Sequence, residues 1–218
     1  MEDTIKANVL DTFAEYYAKG AYPDALAELE IQRSQVPPGL WHFNAGTVKA
    51  KMGLAAEARF HFLKAQLEGY SEQNLGKNLD LVEEKLELTS LEKPLTFSDY
   101  AVKFGLWSQG GFFSTLALLI LVTGLLILRR EKKTLILGLT VIFCTIPLAL
   151  SAWVHSWDKA VIVSEQEIRE GPSAIFASRG EIPEGVLVVL KKSGDWYEVF
   201  YPARFQGWIK NSGFKELE

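Results

Sequence analysis

The spacing of apolar residues changes its rhythm along the chain. Through residues 4–90 apolar positions recur at intervals of three and four, as at Leu75, Leu79, Val82 and Leu86. That spacing sets one stripe along one side of a helix and predicts a helical segment. Between 112 and 154 polar positions almost vanish. Residues 112–128 read FFSTLALLILVTGLLIL and residues 134–154 read TLILGLTVIFCTIPLALSAWV, neither with a charge. After residue 158 the rhythm shortens to runs such as KAVIVS, GVLVVLKK, DWYEVFY and QGWIK, separated by REGPS, IPEG and KSGD. Short β-rich runs between turn residues predict five strands, and five strands in about 60 residues predict a small closed barrel over 159–218.

A helix needs about 20 apolar residues to cross a hydrocarbon core of about 30 Å. The second uncharged run has that length, and the first has it if it begins near Trp107, because LWSQGG is uncharged too. The expectation is a multi-domain membrane protein, with a two-helix transmembrane hairpin over 108–154 joined by the loop 129–133. In the linker 91–107, Phe97, Tyr100, Phe104 and Trp107 fall on one side of a helix. That suits an aromatic helix lying in the membrane interface.

Charge sharpens this picture. The formal net charge of −4 is unevenly spread. Residues 1–105 carry 11 basic and 16 acidic side chains, the loop 129–133 carries 4 and 1, and residues 134–218 carry 8 and 10. Neither flank is basic, which argues against nucleic acid as a partner. Lys and Arg in short loops stay on the cytoplasmic side. Arg129, Arg130, Lys132 and Lys133 therefore place the loop inside and both flanks outside, with Trp107, Trp153 and Trp157 at the outer boundary of a bacterial inner membrane. The polar residues before the first span then need an export signal, with a basic start and a short apolar core. MEDTIKANVLDTF has neither. Either a signal was trimmed and Met1 added, or the N-terminal segment is cytoplasmic and the charge rule fails. The first is the expectation carried forward.

The helical segment repeats itself. AKGAYPDALAELEIQ aligns with AKMGLAAEARFHFLKA, and Gly20, Ala25 and Leu29 recur as Gly53, Ala58 and Phe62, a shift of 33 each time. The unit is a pair of antiparallel helices, with alanine where they cross and a large apolar residue in the groove. This resembles tetratricopeptide repeats. The first unit supplies Tyr16, Ala25-x3-Leu29 and Pro37, with Val9, Thr12 and Phe13 at the W, L and G places. The second supplies Gly46 and Ala58-x3-Phe62, with His42, Ala45 and Lys49 at the W, L and Y places and Tyr70 where the proline would stand. The helix with Leu75, Leu79, Val82 and Leu86 is expected to cap this repeat domain, residues 1–90. Such repeats bind peptide segments on the face of the first helix of each pair. Tyr17, Phe43, Asn44, Thr47 and Lys51 are the candidate contacts.

In the last segment EIREGPS resembles the L-N-V-R-x-G-P-S signature of bacterial SH3-like domains, and the likeness runs over residues 160–217. Gly171-Pro172 and Gly194-Asp195 suit tight turns, and Val186, Val188, Leu190 and Val199 alternate inward. Such domains bind peptides, wall material or partner proteins. Trp196, Tyr197, Phe205 and Trp208 are the candidate aromatic patch.

No catalytic set is legible. His42, His61 and His155 are dispersed, no HxxxH, CxxC or glycine-rich phosphate loop is present, and Cys144 lies in an apolar run. A nucleophile with its base, a metal set or a cofactor loop would be needed for catalysis, so the reading is not an enzyme, with no cofactor and no metal.

Repeats, an apolar hairpin with a basic tip and a terminal SH3-like segment together resemble BatE-type proteins of the aerotolerance operon. The resemblance implies a non-enzymatic scaffold of a bacterial envelope complex, partnered by the bilayer, by von Willebrand A-domain proteins and by a MoxR-type AAA+ ATPase. Two other readings stay open: a peptidoglycan sensor that grips the wall through its last domain, and an accessory subunit of a channel or transporter.

Overall fold

A computed structural model describes residues 10–107, 112–131 and 134–217. The expectations placed on Val9, on residues 108–111 and on Lys132 and Lys133 lie outside them, as do the side chains of Trp107 and Arg130. The chain divides into two compact units, one built from residues up to Lys93 together with those from Asp158 onward, the other spanning Pro94–Trp157.

The first unit begins with helical pairs. Helices α1 (Asp11–Ala18) and α2 (Tyr22–Ile31) form one pair, and α3 (Pro38–Lys51) and α4 (Ala55–Leu67) the next. Gly20 and Gly53 turn each pair at φ +73° and +82°, a region that L side chains seldom enter. Ala25, Leu29, Ala58 and Phe62 are all fully buried. The crossing is tightest at Gly46, where an added Cβ would lie 2.7 Å from the Phe62 ring. Trp41 Nε1 donates to the Leu29 carbonyl at 2.9 Å and ties α3 to α2. Helix α5 (Gln73–Lys85) buries Leu75 and Val82 against α4. The short α6 (Leu88–Leu91) follows.

The rest of this unit is a sheet of seven antiparallel strands. They are β1 (Asp158–Ile162), β2 (Gln166–Arg169), β3 (Ser178–Ile182), β4 (Leu187–Ser193), β5 (Trp196–Tyr201), β6 (Gly207–Lys210) and β7 (Phe214–Glu216), in spatial order β3-β2-β6-β5-β4-β1-β7. This corrects the expected five-stranded closed barrel. Strands β2, β3 and β7 lie outside the runs named from sequence: QEIR is four residues long, SRGEI is charged and mostly exposed, and FKE is three residues long. Among the described residues no pairing joins the two edges, β3 and β7. Ala160, Ile162, Ile168, Val186, Val188, Val199 and Ile209 make the core, and Leu88 of α6 is buried within it.

Helix and sheet are joined by a buried ion pair. Arg59 of α4 is 3 % exposed. It donates to Glu83 Oε1 from Nε and Nη2 at 3.0 and 2.7 Å, and to both Glu92 oxygens at 2.6 and 3.0 Å. Its Nη1 also donates to the Gly185 carbonyl at 2.6 Å, and the Leu187 amide donates to Glu92 at 2.7 Å. Burial opposes the Arg59 charge, but Glu92 and Glu83 more than offset it and hold its pKa above the usual value. Lys215 of β7 pairs with Glu57 of α4 at 3.1 Å, and Lys64 donates to the Leu217 carbonyl at 3.0 Å. The helical segment and the sheet, expected as separate domains, fall in one compact unit.

The second unit holds α7 (Phe97–Trp107), α8 (Phe112–Glu131) and α9 (Thr134–His155). Asp99 caps α7, accepting from the Leu95 and Thr96 amides at 3.0 and 3.1 Å. Helices α8 and α9 meet at Gly124 and Thr140, and Cys144 Sγ contacts the Ala117 carbonyl at 3.4 Å. Among the described residues no helix is long and apolar enough to cross a membrane. That overturns the transmembrane hairpin over 108–154 and the membrane-protein fold class built on it. The uncharged part of α8 ends at residue 128, which at 1.5 Å per residue is about 25 Å, short of the roughly 30 Å core. The helix runs on through Arg129 to Glu131, where a loop was expected. In α9 Pro147 lies inside the helix, where it removes one backbone donor.

Candidate partner-binding surfaces

Two surfaces of the first unit carry the residues singled out from sequence. On the helical side, Tyr17 is half-buried and stacks on Phe13 at 6.1 Å, in the cluster of the first pair. Phe43 belongs to the other cluster, packs beside Phe62 and stacks on Tyr70 at 4.8 Å. Asn44 and Thr47 are half-buried, and Thr47 Oγ1 donates to the Phe43 carbonyl at 2.9 Å within its own helix. Lys51 is exposed at the end of α3. The structure thus places Tyr17 and Phe43 in different clusters, and Asn44, Thr47 and Lys51 in neither.

Next to Phe43 lies a cleft of about 360 Å³, lined by Tyr70, Leu75, Gly76 and Leu79 with Gln66, Ser71, Glu72 and Gln73 at its rim. Burial, then the hydrogen bond and charge of Glu72, push the Tyr70 hydroxyl up to about 12, so it stays protonated. This cleft was not read from the sequence, although Gly76 inside a helical stripe is a signal that could have found it.

On the sheet, Tyr197 and Phe205 are buried core residues at 4 % and 7 % exposure. Trp196 and Trp208 are half-exposed. Strand register sets Trp196 opposite Lys210 and Trp208 opposite both Glu198 and Arg169. Trp196, Lys210, Arg169, Glu167, Gln166, Ala174 and Ser212 line a cleft of about 200 Å³. Arg169 shapes its wall by donating to the carbonyls of Ala174 and Phe176 at 2.8 and 2.9 Å. Ile175 between them is 89 % exposed.

A third cluster went unassigned. His42 Nδ1 and His61 Nδ1 lie 3.0 Å apart between α3 and α4, ringed by Trp41 and Phe60. Burial, then Lys64, hold His42 down at about 4. Burial, then His42 and Lys215, hold His61 at about 3. Lys64 and Lys215 act on the pair in one direction and Glu68 and Glu57 in the other. Among the described residues no group of three or more metal-ligating side chains occurs. Of the basic tip, Arg129 is exposed.

No family model matches this chain, and no curated protein or solved structure matches it either.

Proposed function

We propose that this chain is a non-enzymatic adaptor that captures protein partners and holds them in a bacterial envelope complex. The observation that carries the reading is the Arg59 node. It fixes a helical face with the Phe43–Tyr70 stack and a sheet face with Trp196 and Trp208 together. Two partly exposed aromatic surfaces on one compact unit suit the simultaneous holding of two partners, since aromatic anchors dominate interface energetics. Of the resemblance to BatE-type proteins the helical pairs remain, and they suggest the partners, von Willebrand A-domain proteins and a MoxR-type ATPase. Purified full chain should retain such an A-domain protein on a column. Phe43→Ala should weaken retention by about 2 kcal/mol or more, with the helical circular dichroism unchanged. Retention unaltered in that folded variant would remove the helical face from the proposal.

A second reading is favoured by Trp196 beside a polar cleft, a pairing that suits a sugar ring stacked on indole. It predicts that the full chain co-sediments with purified peptidoglycan and that Trp196→Ala abolishes this.

A further inference from the structure

Gly76 stands apart from every other described glycine. The rest either adopt positive φ or are pressed by a neighbour. Gly39 would meet Tyr70 at 2.9 Å, Gly46 would meet Phe62 at 2.7 Å and Gly124 would meet Thr140 at 2.1 Å if they carried a Cβ. At Gly76 a Cβ would meet nothing within 4 Å, and its backbone is ordinary helix. A glycine inside a helix costs stability relative to alanine. Neither backbone conformation nor internal packing accounts for it.

Its position does. Gly76 is exposed at the cleft walled by Tyr70, Leu75 and Leu79. Asp80 lies one turn after it on α5, and Glu72, which lines the same cleft, is the extended residue just before the helix. Both are exposed, as are Glu68 and Glu84 nearby. The shift of 33 that relates the helical pairs carries Phe43 onto Gly76 and Thr47 onto Asp80. The face that presents an aromatic ring on α3 is therefore scooped out on α5. An absent Cβ on a helix admits another helix at short interaxial distance, and the carboxylates of Glu72 and Asp80 beside it select its charge.

We infer that the Gly76 cleft docks an amphipathic helix of a partner protein, with an apolar residue seated between Tyr70 and Leu79 and lysines or arginines against Glu72 and Asp80. This rests on the adaptor reading above and names the chemistry of one partner.

The test uses the full chain and synthetic peptides: a leucine/lysine amphipathic helix, its leucine/glutamate counterpart, and the lysine peptide with a central proline. Binding is followed by fluorescence anisotropy. The lysine helix should bind, with the other two weaker by about tenfold or more. Gly76→Leu, which fills open space on a helix, should keep or raise the melting temperature and lower lysine-helix affinity by about tenfold. Glu72→Lys with Asp80→Lys should exchange the preference between the two charged peptides. Unchanged binding by Gly76→Leu, or equal binding of the glutamate or proline peptide, overturns the inference. If Phe43→Ala loses the A-domain protein while Gly76→Leu keeps the lysine helix, the adaptor reading stands and the docked helix falls.

Discussion

At the scale of single residues, the histidine pair is expected to make stability fall with acid. Both imidazoles are held below the ordinary value near 6.5, at about 4 and about 3. Below pH 6.5 the unfolded chain therefore binds more protons than the folded one. Their contribution is complete above pH 6.5 and is lost as pH falls. Lys64, Arg33, Lys49 and Lys215 press in that direction, while Glu68 and Glu57 oppose it. Each fully shifted histidine is worth about 1.4 kcal/mol per pH unit, and the half-exposed His42 delivers less. The expected loss between pH 6.5 and 5 is about 2 to 3 kcal/mol. Urea midpoints over that interval check it, and His42→Phe with His61→Phe should flatten the slope. An equally steep slope in the double variant would assign the acid sensitivity to other groups. Arg59 is the other decisive residue. Arg59→Met leaves Glu92 and the Gly185 carbonyl without their cation and should cost about 3 to 5 kcal/mol. Arg59→Lys should recover little, because a single ammonium cannot span both carboxylates.

At the scale of helices and strands, two glycines should respond with opposite sign. Gly46→Ala drives a methyl into the Phe62 ring and should destabilise by about 1 to 3 kcal/mol. Gly76→Ala meets open space and should stabilise by up to about 1 kcal/mol. Thermal melts of the two variants decide both. The helical pairs were legible because crossing helices force small and large residues to recur in step, as Ala25, Ala58, Leu29 and Phe62 do. The edge strands were not legible, since β3 buries only Ile182 and shows no alternation. The uncharged runs misled because absence of charge does not by itself supply the length and apolar character that a span requires, and among the described residues no helix has both. Of the site, Phe43, Trp196 and Trp208 could be read as aromatic residues at surface positions. Tyr197 could not be told from them, because alternation on a strand is blind to which face is covered.

At the scale of the molecule, sequence order concealed the main fact. Leu88 and Gly185 are far apart in the chain, yet Leu88 fills the sheet core and an added Cβ at Gly185 would lie 2.6 Å from Leu86. Linear reading assigns α6 and the sheet to separate domains because the Pro94–Trp157 unit lies between them in sequence. The consequence is interdependent folding. Residues 158–218 alone would expose the hole left by Leu88, which in a core commonly costs about 2 to 5 kcal/mol even for truncation to alanine. They would also lose the Arg59, Lys64 and Glu57 contacts. A sheet of that size has little stability to spare. The isolated segment is therefore expected to show no cooperative thermal transition, and co-expression with residues 1–93 should restore one. Leu88→Ala in the full chain should lower the stability of helices and sheet together, read as coincident loss of far-ultraviolet dichroism and tryptophan fluorescence. Cooperative unfolding of the isolated segment, or two separate transitions in the Leu88→Ala chain, would show that helices and sheet are independent domains.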